Sequence, residues 1–259
     1  MGAGELSGRT ALVTGAGGSA GEAVARLLAD HGARVIAVDR DADGIAALRS
    51  AYGAARMTTR AVDITDRAAV ENLVDEAERT VGPLDILVNA AGVRRAAPVV
   101  ELSDQDWDDL FAVNTTGVFH LSRAVARRMT ARRAGSIITV GSHPLGVPRA
   151  GLAAYAASKA AAAFFTKCLG NELAPSGVRC NVVSPGAPRG TGPRRRPAPA
   201  GTGGSARGAA RTTQGSATRP GPTAETHDLA ETIAFLVSDR ARHITMHDLH
   251  ADGALALRA

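Results

Sequence analysis

Along the first 183 residues, short apolar runs alternate with longer stretches in which apolar side chains recur three and four positions apart. The runs are Ala11-Leu12-Val13, Val35 to Val38, Leu84 to Val88, Ser136 to Val140 and Val178 to Val183, each of strand length. The stretches between them, 21 to 31, 66 to 80, 103 to 133 and 152 to 174, carry helical spacing, the third long enough for two helices. Strands alternating with helices of this length predict βαβ units, a parallel sheet and right-handed crossovers. The expected fold class is therefore α/β, doubly wound, with helices on both faces of the sheet.

The rhythm breaks at residues 184 to 228, which contain no Val, Ile, Leu, Met, Phe, Tyr, Trp or Cys. From 187 to 222 the chain is mainly Arg, Pro, Gly, Ala, Ser and Thr, a mixture that cannot bury enough apolar surface to offset the entropy of ordering it. A poorly ordered segment is predicted there. Helical patterning resumes at Glu225 and runs through Val237, and a last strand is expected at His243 to Leu249. One domain spanning 1–259, closed around the odd segment, accounts for this pattern.

Composition and charge narrow the function. A chain of 259 residues that is 45% apolar can bury one large core. The net charge of +5 suggests a nucleic-acid binder until it is located: seven arginines and no acid lie within 187 to 222, so the remainder carries −2. The body is slightly acidic, and nucleic acid is not the expected partner. A flexible basic tether for an acidic partner or nucleic acid is the alternative reading of that segment. Cys168 and Cys180 form neither a close pair nor a metal-ligand spacing, so no metal is expected and a reducing compartment fits. No apolar run approaches the roughly 20 residues that a membrane span needs, and a cytoplasmic protein is expected.

The candidate chemistry lies in two places. Gly15, Gly17, Gly18 and Gly21 sit between a predicted strand and a predicted helix, where missing Cβ atoms let backbone N–H groups approach a pyrophosphate at the positive helix end. Asp39 ends the second strand 18 residues beyond Gly21, placed to accept bonds from an adenosine ribose and to repel a 2′-phosphate. NAD is therefore favoured over NADP, with Arg40 next door acting against that preference. Asp63 either contacts the adenine edge or caps a helix, while Asp66 reads as the cap of the helix that follows it. Asn89-Ala90-Ala91-Gly92 closes the 84–88 strand with small residues that leave room for a cofactor, and the Asn amide is suited to tying strands together.

The second place is Tyr155 and Lys159, four apart on a predicted helix, with Ser142 thirteen residues upstream. An ammonium beside a phenol favours the phenolate. A free phenol titrates near 10 and a useful base near 7 or 8, so about two to three pH units must come from cationic neighbours.

Thr14-Gly15 with Ser19-Ala20-Gly21, Asn89-Ala90-Ala91-Gly92, Asn114, Ser142, Tyr155 with Lys159, and Pro185-Gly186 together resemble the short-chain dehydrogenases/reductases over residues 8 to 186 and 225 to 255. The resemblance implies a Rossmann-type fold binding NAD through Gly15, Gly17, Gly21, Asp39, Asp63, Asn89, Gly92, Tyr155, Lys159, Pro185 and Gly186. It implies Tyr155 as general base, Lys159 as its activator and ribose ligand, Ser142 as orienter of the substrate oxygen, and Asn114 as holder of a relay water. Homotetramers pairing the helices at 114 to 133 and 152 to 174 are expected on the same ground. The segments 141–149, 165–170, 178–186 and 243–249 resemble more narrowly the branch that oxidises a cyclohexadiene diol carboxylate, 2,3-dihydro-2,3-dihydroxybenzoate, to a catechol for siderophores. Another cyclic alcohol as substrate, or an impaired NAD-binding homologue, are the alternatives.

Such a substrate calls for a fixed cation at its carboxylate. Arg149, six residues before Tyr155, and Arg95, shortly after Gly92, are the candidates, against the plainer reading of solvated surface arginines. The chain departs from the family pattern at Ser19, which replaces the middle glycine of the turn. It departs further after Gly186, where Pro188 has no N–H to give and the basic segment lacks the apolar face of a substrate lid.

Overall fold

The computed structural model describes residues 4–142, 148–186 and 225–252. The predicted poorly ordered stretch 187–222 lies outside the described residues, as does His143 beside Ser142. Seven strands form one parallel sheet: β1 (Thr10–Thr14), β2 (Arg34–Asp39), β3 (Met57–Ala61), β4 (Ile86–Asn89), β5 (Gly135–Val140), β6 (Val178–Pro185) and β7 (Asp248–Ala251), in the order β3-β2-β1-β4-β5-β6-β7. The doubly wound α/β expectation is met.

The central strands carry consecutive apolar residues because both faces are covered. Ala11, Val13, Val35, Ala37, Ile86, Val88, Ile138 and Val140 face one core, while Leu12, Ile36, Val38, Leu87 and Ile137 face the other, the period-two sorting of a pleated strand. The first core is closed by α1 (Ser19–Asp30) and α7 (Thr226–Val237), whose buried sets Val24-Ala25-Leu28-Ala29 and Leu229-Ala230-Ile233-Ala234 recur at helical spacing. The second is closed by α3 (Arg67–Thr80) and α5 (Val118–Arg132) through Val70, Leu73, Val74, Ala77, Leu121, Ala124, Val125 and Met129. Glu71–Arg127, Asp75–Arg128 and Glu78–Arg132 pairs stitch the outer edges of α3 and α5. Being exposed, they add little stability.

Three features differ from the apolar pattern. Strand β3 and helix α2 (Ala42–Tyr52) were not visible in it, because β3 buries only Met57 and α2 only Ile45 and Leu48. The 103–133 region holds the two helices expected of it, α4 (Asp104–Phe111) and α5, but a π-helical turn that the pattern did not show, Ala112–Gly117, joins them into one continuous helical body. The last strand runs from 248 to 251 and not from 243 to 249. Met246 takes a left-handed φ of 59°, and the backbone there is held to β6 by Met246 N–H to Cys180 C=O (2.7 Å) and His247 N–H to Asn181 Oδ1 (3.0 Å). A non-glycine residue in that conformation ends regular pairing.

Candidate active site

Strands β1 and β4 lie side by side at the middle of the sheet, and the chain leaves them in opposite directions, which opens a crevice at their C-terminal ends. Thr14 joins them: its Oγ1 accepts the N–H groups of Ala90 and Ala91, both at 3.2 Å. Gly15 follows at φ 69°, where a Cβ would come within 2.7 Å of the Ala91 backbone. Gly21 packs on the same turn so closely that a Cβ would lie 2.2 Å from the Gly15 carbonyl oxygen. Both positions demand glycine. The N-cap of α1 is Gly18, whose own N–H donates to the Gly15 carbonyl at 3.0 Å and which has no side chain to satisfy the first-turn N–H groups, so Ser19 to Gly21 line the crevice with free donors at the positive end of the helix. Such an end suits a phosphate.

Asp39 stands at the end of β2. Its carboxylate accepts the Gly17 N–H at 3.0 Å and the Asp41 N–H at 3.1 Å, which sets its orientation on the crevice wall. Asp63 also lines the wall and accepts both the N–H and the hydroxyl of Thr65 at 2.8 Å. Those bonds, with a smaller contribution from the positive charge of Arg40, hold its carboxyl below the usual range. Asp66, as expected, caps α3, accepting from Ala68 and Ala69.

At the other end, α6 (Ala153–Leu173) presents Tyr155 and Lys159 one turn apart. The Tyr155 hydroxyl donates to Ser142 Oγ at 3.3 Å, Ser142 lying just past the end of β5. Lys159 Nζ donates to the Val140 carbonyl at 2.9 Å and is only 5% exposed; burial pushes its ammonium down to about 8. Gly92 leaves the space these groups occupy, since a Cβ there would lie 3.1 Å from Lys159 Nζ and 3.2 Å from Asn114 Oδ1.

Asn114 sits in the π turn, fully buried. Its Oδ1 accepts the Val93 N–H at 2.9 Å, and its Nδ2 donates to the Val93 carbonyl and to Ser158 Oγ, both at 3.0 Å. Ser158 Oγ donates in turn to the Tyr155 carbonyl at 2.8 Å, and Thr115 Oγ1 donates to the Ser158 carbonyl at 2.9 Å. Both amide hydrogens of Asn114 are thus spent on the framework that carries Tyr155 and Lys159. Ser158, Thr115 and Val93 carried no signal in the sequence, because their partners lie 21 to 44 residues away.

The two ends share one cavity of about 580 Å³ lined by Gly15, Gly21, Asp39, Asp63, Gly92, Ser142, Arg149, Tyr155, Lys159, Pro185 and Gly186 among others. Gly17, Asn89 and Asn114 stand behind its wall. Asn89 donates from Nδ2 to Ser122 Oγ (3.0 Å) and Thr139 Oγ1 (3.4 Å), tying β4 to α5 and β5, which is the strand-tying role its amide suggested. Arg95 lines the cavity but is paired through Nε with Asp106 at 3.3 Å. Arg149 is exposed on the rim. Among the described residues no cluster of three or more His, Cys, Asp or Glu side chains could hold a metal, and no helix is long and apolar enough to cross a membrane.

A glycine cradle under a free helix end, a carboxylate at the end of β2 and a Tyr–Lys–Ser group in one continuous cleft fit a nicotinamide dinucleotide with a small substrate beside it. Residues 9–196 match the family model described as short chain dehydrogenase, and the chain belongs to that family of oxidoreductases. It is 43% identical to 2,3-dihydro-2,3-dihydroxybenzoate dehydrogenase of Bacillus subtilis (strain 168), over 99% of each chain. To the enzyme of the same name in Escherichia coli (strain K12) it is 38% identical, over 98% of this chain and 100% of the relative. A solved short chain dehydrogenase/reductase family protein superposes with a TM-score of 0.80 at 31% identity, over 96% of this chain and 97% of the other.

Proposed function

We propose that the protein oxidises 2,3-dihydro-2,3-dihydroxybenzoate to 2,3-dihydroxybenzoate with NAD, in the assembly of catechol siderophores. The observation that carries this reading is the Tyr155–Ser142 contact of 3.3 Å, with buried Lys159 beside it, in a cavity also lined by Arg94, Arg95 and Arg149. The relatives named for that reaction support the substrate. When bound, NAD supplies the hydride acceptor, and Asp39 favours it over NADP because a fixed carboxylate repels a 2′-phosphate.

The residues of the chain then do the following. Tyr155, as phenolate, takes the proton of the C3 hydroxyl while Ser142 holds that oxygen. Lys159 stabilises the phenolate by its charge and donates to the nicotinamide ribose. The hydride leaves C3, and the ketone so formed tautomerises, losing the ring proton at C2 and gaining one on its oxygen, to give the aromatic catechol, which makes the oxidation favourable. Asn114 holds the framework of the helix that carries the base and a water through which the proton leaves. Asp63 would hold the adenine and Pro185 and Gly186 the nicotinamide, while Arg94 and Arg149 neutralise the substrate carboxylate. The protein acts in the cytoplasm as a homotetramer paired through α5 and α6, where Phe119 and Phe164 stand exposed.

The test is NADH formation from the diol acid, followed at 340 nm, with Tyr155→Phe expected to abolish turnover and retain NAD binding. Turnover of simple cyclic alcohols in preference to the diol acid would overturn the substrate assignment.

A further inference from the structure

Three arginines line the substrate end of the cavity, and they are not equivalent. Arg95 donates from Nη1 to the Arg94 carbonyl at 3.3 Å and pairs through Nε with Asp106 at 3.3 Å, so its fork is engaged with its own loop and the start of α4. Arg94 and Arg149 have no side-chain hydrogen bond or ion pair among the described residues, and both line the cavity. The acids on the cavity wall, Asp39 and Asp63, lie at the glycine-turn end with Arg40 near Asp63, and Asp106 is taken by Arg95, so neither Arg94 nor Arg149 is paired with an acid among the described residues.

The backbone under these two arginines is held on both sides. Val93, directly before Arg94, is bonded at its N–H and its C=O by the Asn114 amide (2.9 and 3.0 Å), and that same amide is tied through Ser158 to the helix carrying Tyr155. Three residues beyond Arg94, the Ala97 N–H donates to the Gly151 carbonyl at 3.0 Å, joining this loop to the one that carries Arg149. Arg149 itself closes a turn by accepting the Leu152 N–H at 3.2 Å just before α6 begins. Two partner-free guanidinium groups thus rise from loops bonded to each other and to the base-bearing helix, an arrangement suited to an anion held at a set distance from Tyr155.

We infer that Arg94 and Arg149 together form the carboxylate-binding site for the substrate, with Arg95 shaping the loop and not touching the ligand. This rests on the proposed diol-acid reading, so its test includes a probe that needs no turnover. Benzoate binding in the presence of saturating NAD is measured by titration calorimetry for the wild type, Arg94→Met, Arg95→Met and Arg149→Met, alongside KM and kcat for the diol acid. NAD affinity serves as the folding control. Arg94→Met and Arg149→Met are expected to weaken benzoate binding and raise KM by about 10- to 100-fold, the effect of losing a charge-assisted contact, with a much smaller change in kcat. Arg95→Met is expected to cost at least about fivefold less than Arg94→Met. Equal or greater loss in Arg95→Met, or no benzoate binding by the wild type, overturns the assignment. A wild type that binds benzoate through Arg94 yet does not turn over the diol acid would refute the substrate reading alone.

Discussion

Replacing Lys159 by Met is expected to abolish turnover while making the cofactor-free protein more stable at neutral pH. Lys159 is 5% exposed, and its one described hydrogen bond goes to the Val140 carbonyl, so its charge is poorly solvated in the folded state. Burial lowers its ammonium from 10.5 to about 8, which at about 1.4 kcal/mol per pH unit is a cost of about 3 kcal/mol to the folded state wherever the group is charged in both states. Met fills a similar volume without charge, and losing the bond to Val140 takes back about 1–2 kcal/mol. The net gain at pH 7 is about 1–2 kcal/mol, or roughly 2–6 °C in Tm for a domain of this size.

The pH dependence carries the sharper test. Because the folded-state value lies below the unfolded one, the unfolded chain binds more protons between pH 8 and 10.5, and wild-type stability rises relative to the variant across that window. Below pH 8 both states are protonated and the gap is constant. Urea unfolding of both proteins without cofactor from pH 7 to 10.5 should show the variant ahead at pH 7 and the wild type gaining about 3 kcal/mol on it by the upper end. A variant that is less stable at pH 7, with a gap that does not move with pH, would refute the reasoning.

Gly21→Ala should weaken NAD binding by more than tenfold and lower stability by about 1–3 kcal/mol, as read by cofactor titration and thermal unfolding, because the new methyl would meet the Gly15 carbonyl oxygen at 2.2 Å. Ser158→Ala strips the Asn114 amide of one acceptor and should lower kcat more than it raises KM for NAD; Ser158→Thr, which keeps the hydroxyl, should recover part of the loss. Asp39→Asn is expected to shift the ratio of kcat/KM for NAD over NADP by at least about tenfold toward NADP, since a carboxylate that repels a 2′-phosphate becomes neutral while an oxygen remains for the Gly17 N–H.

Local patterns along the chain were sufficient for the central strands, because a strand buried on both faces reads as a run of consecutive apolar residues, as the middles of β1, β2, β4 and β5 do. They were sufficient too for the glycine turn, whose close backbone approaches exclude a Cβ, and for Tyr155 and Lys159, whose four-residue spacing is a helical turn. Strand β3 and helix α2 stayed hidden because a sheet edge and a half-exposed helix need bury only one or two side chains. What tertiary structure alone decided was the use of each polar group: Asn114 spent on Val93 and Ser158, Asn89 tied to Ser122 and Thr139, Arg95 engaged by Asp106 while Arg94 has no side-chain partner among the described residues. Hydrophobic period reports which face of an element is buried. Hydrogen bonds and ion pairs are instead made between groups brought together from distant parts of the chain, and no local period records them.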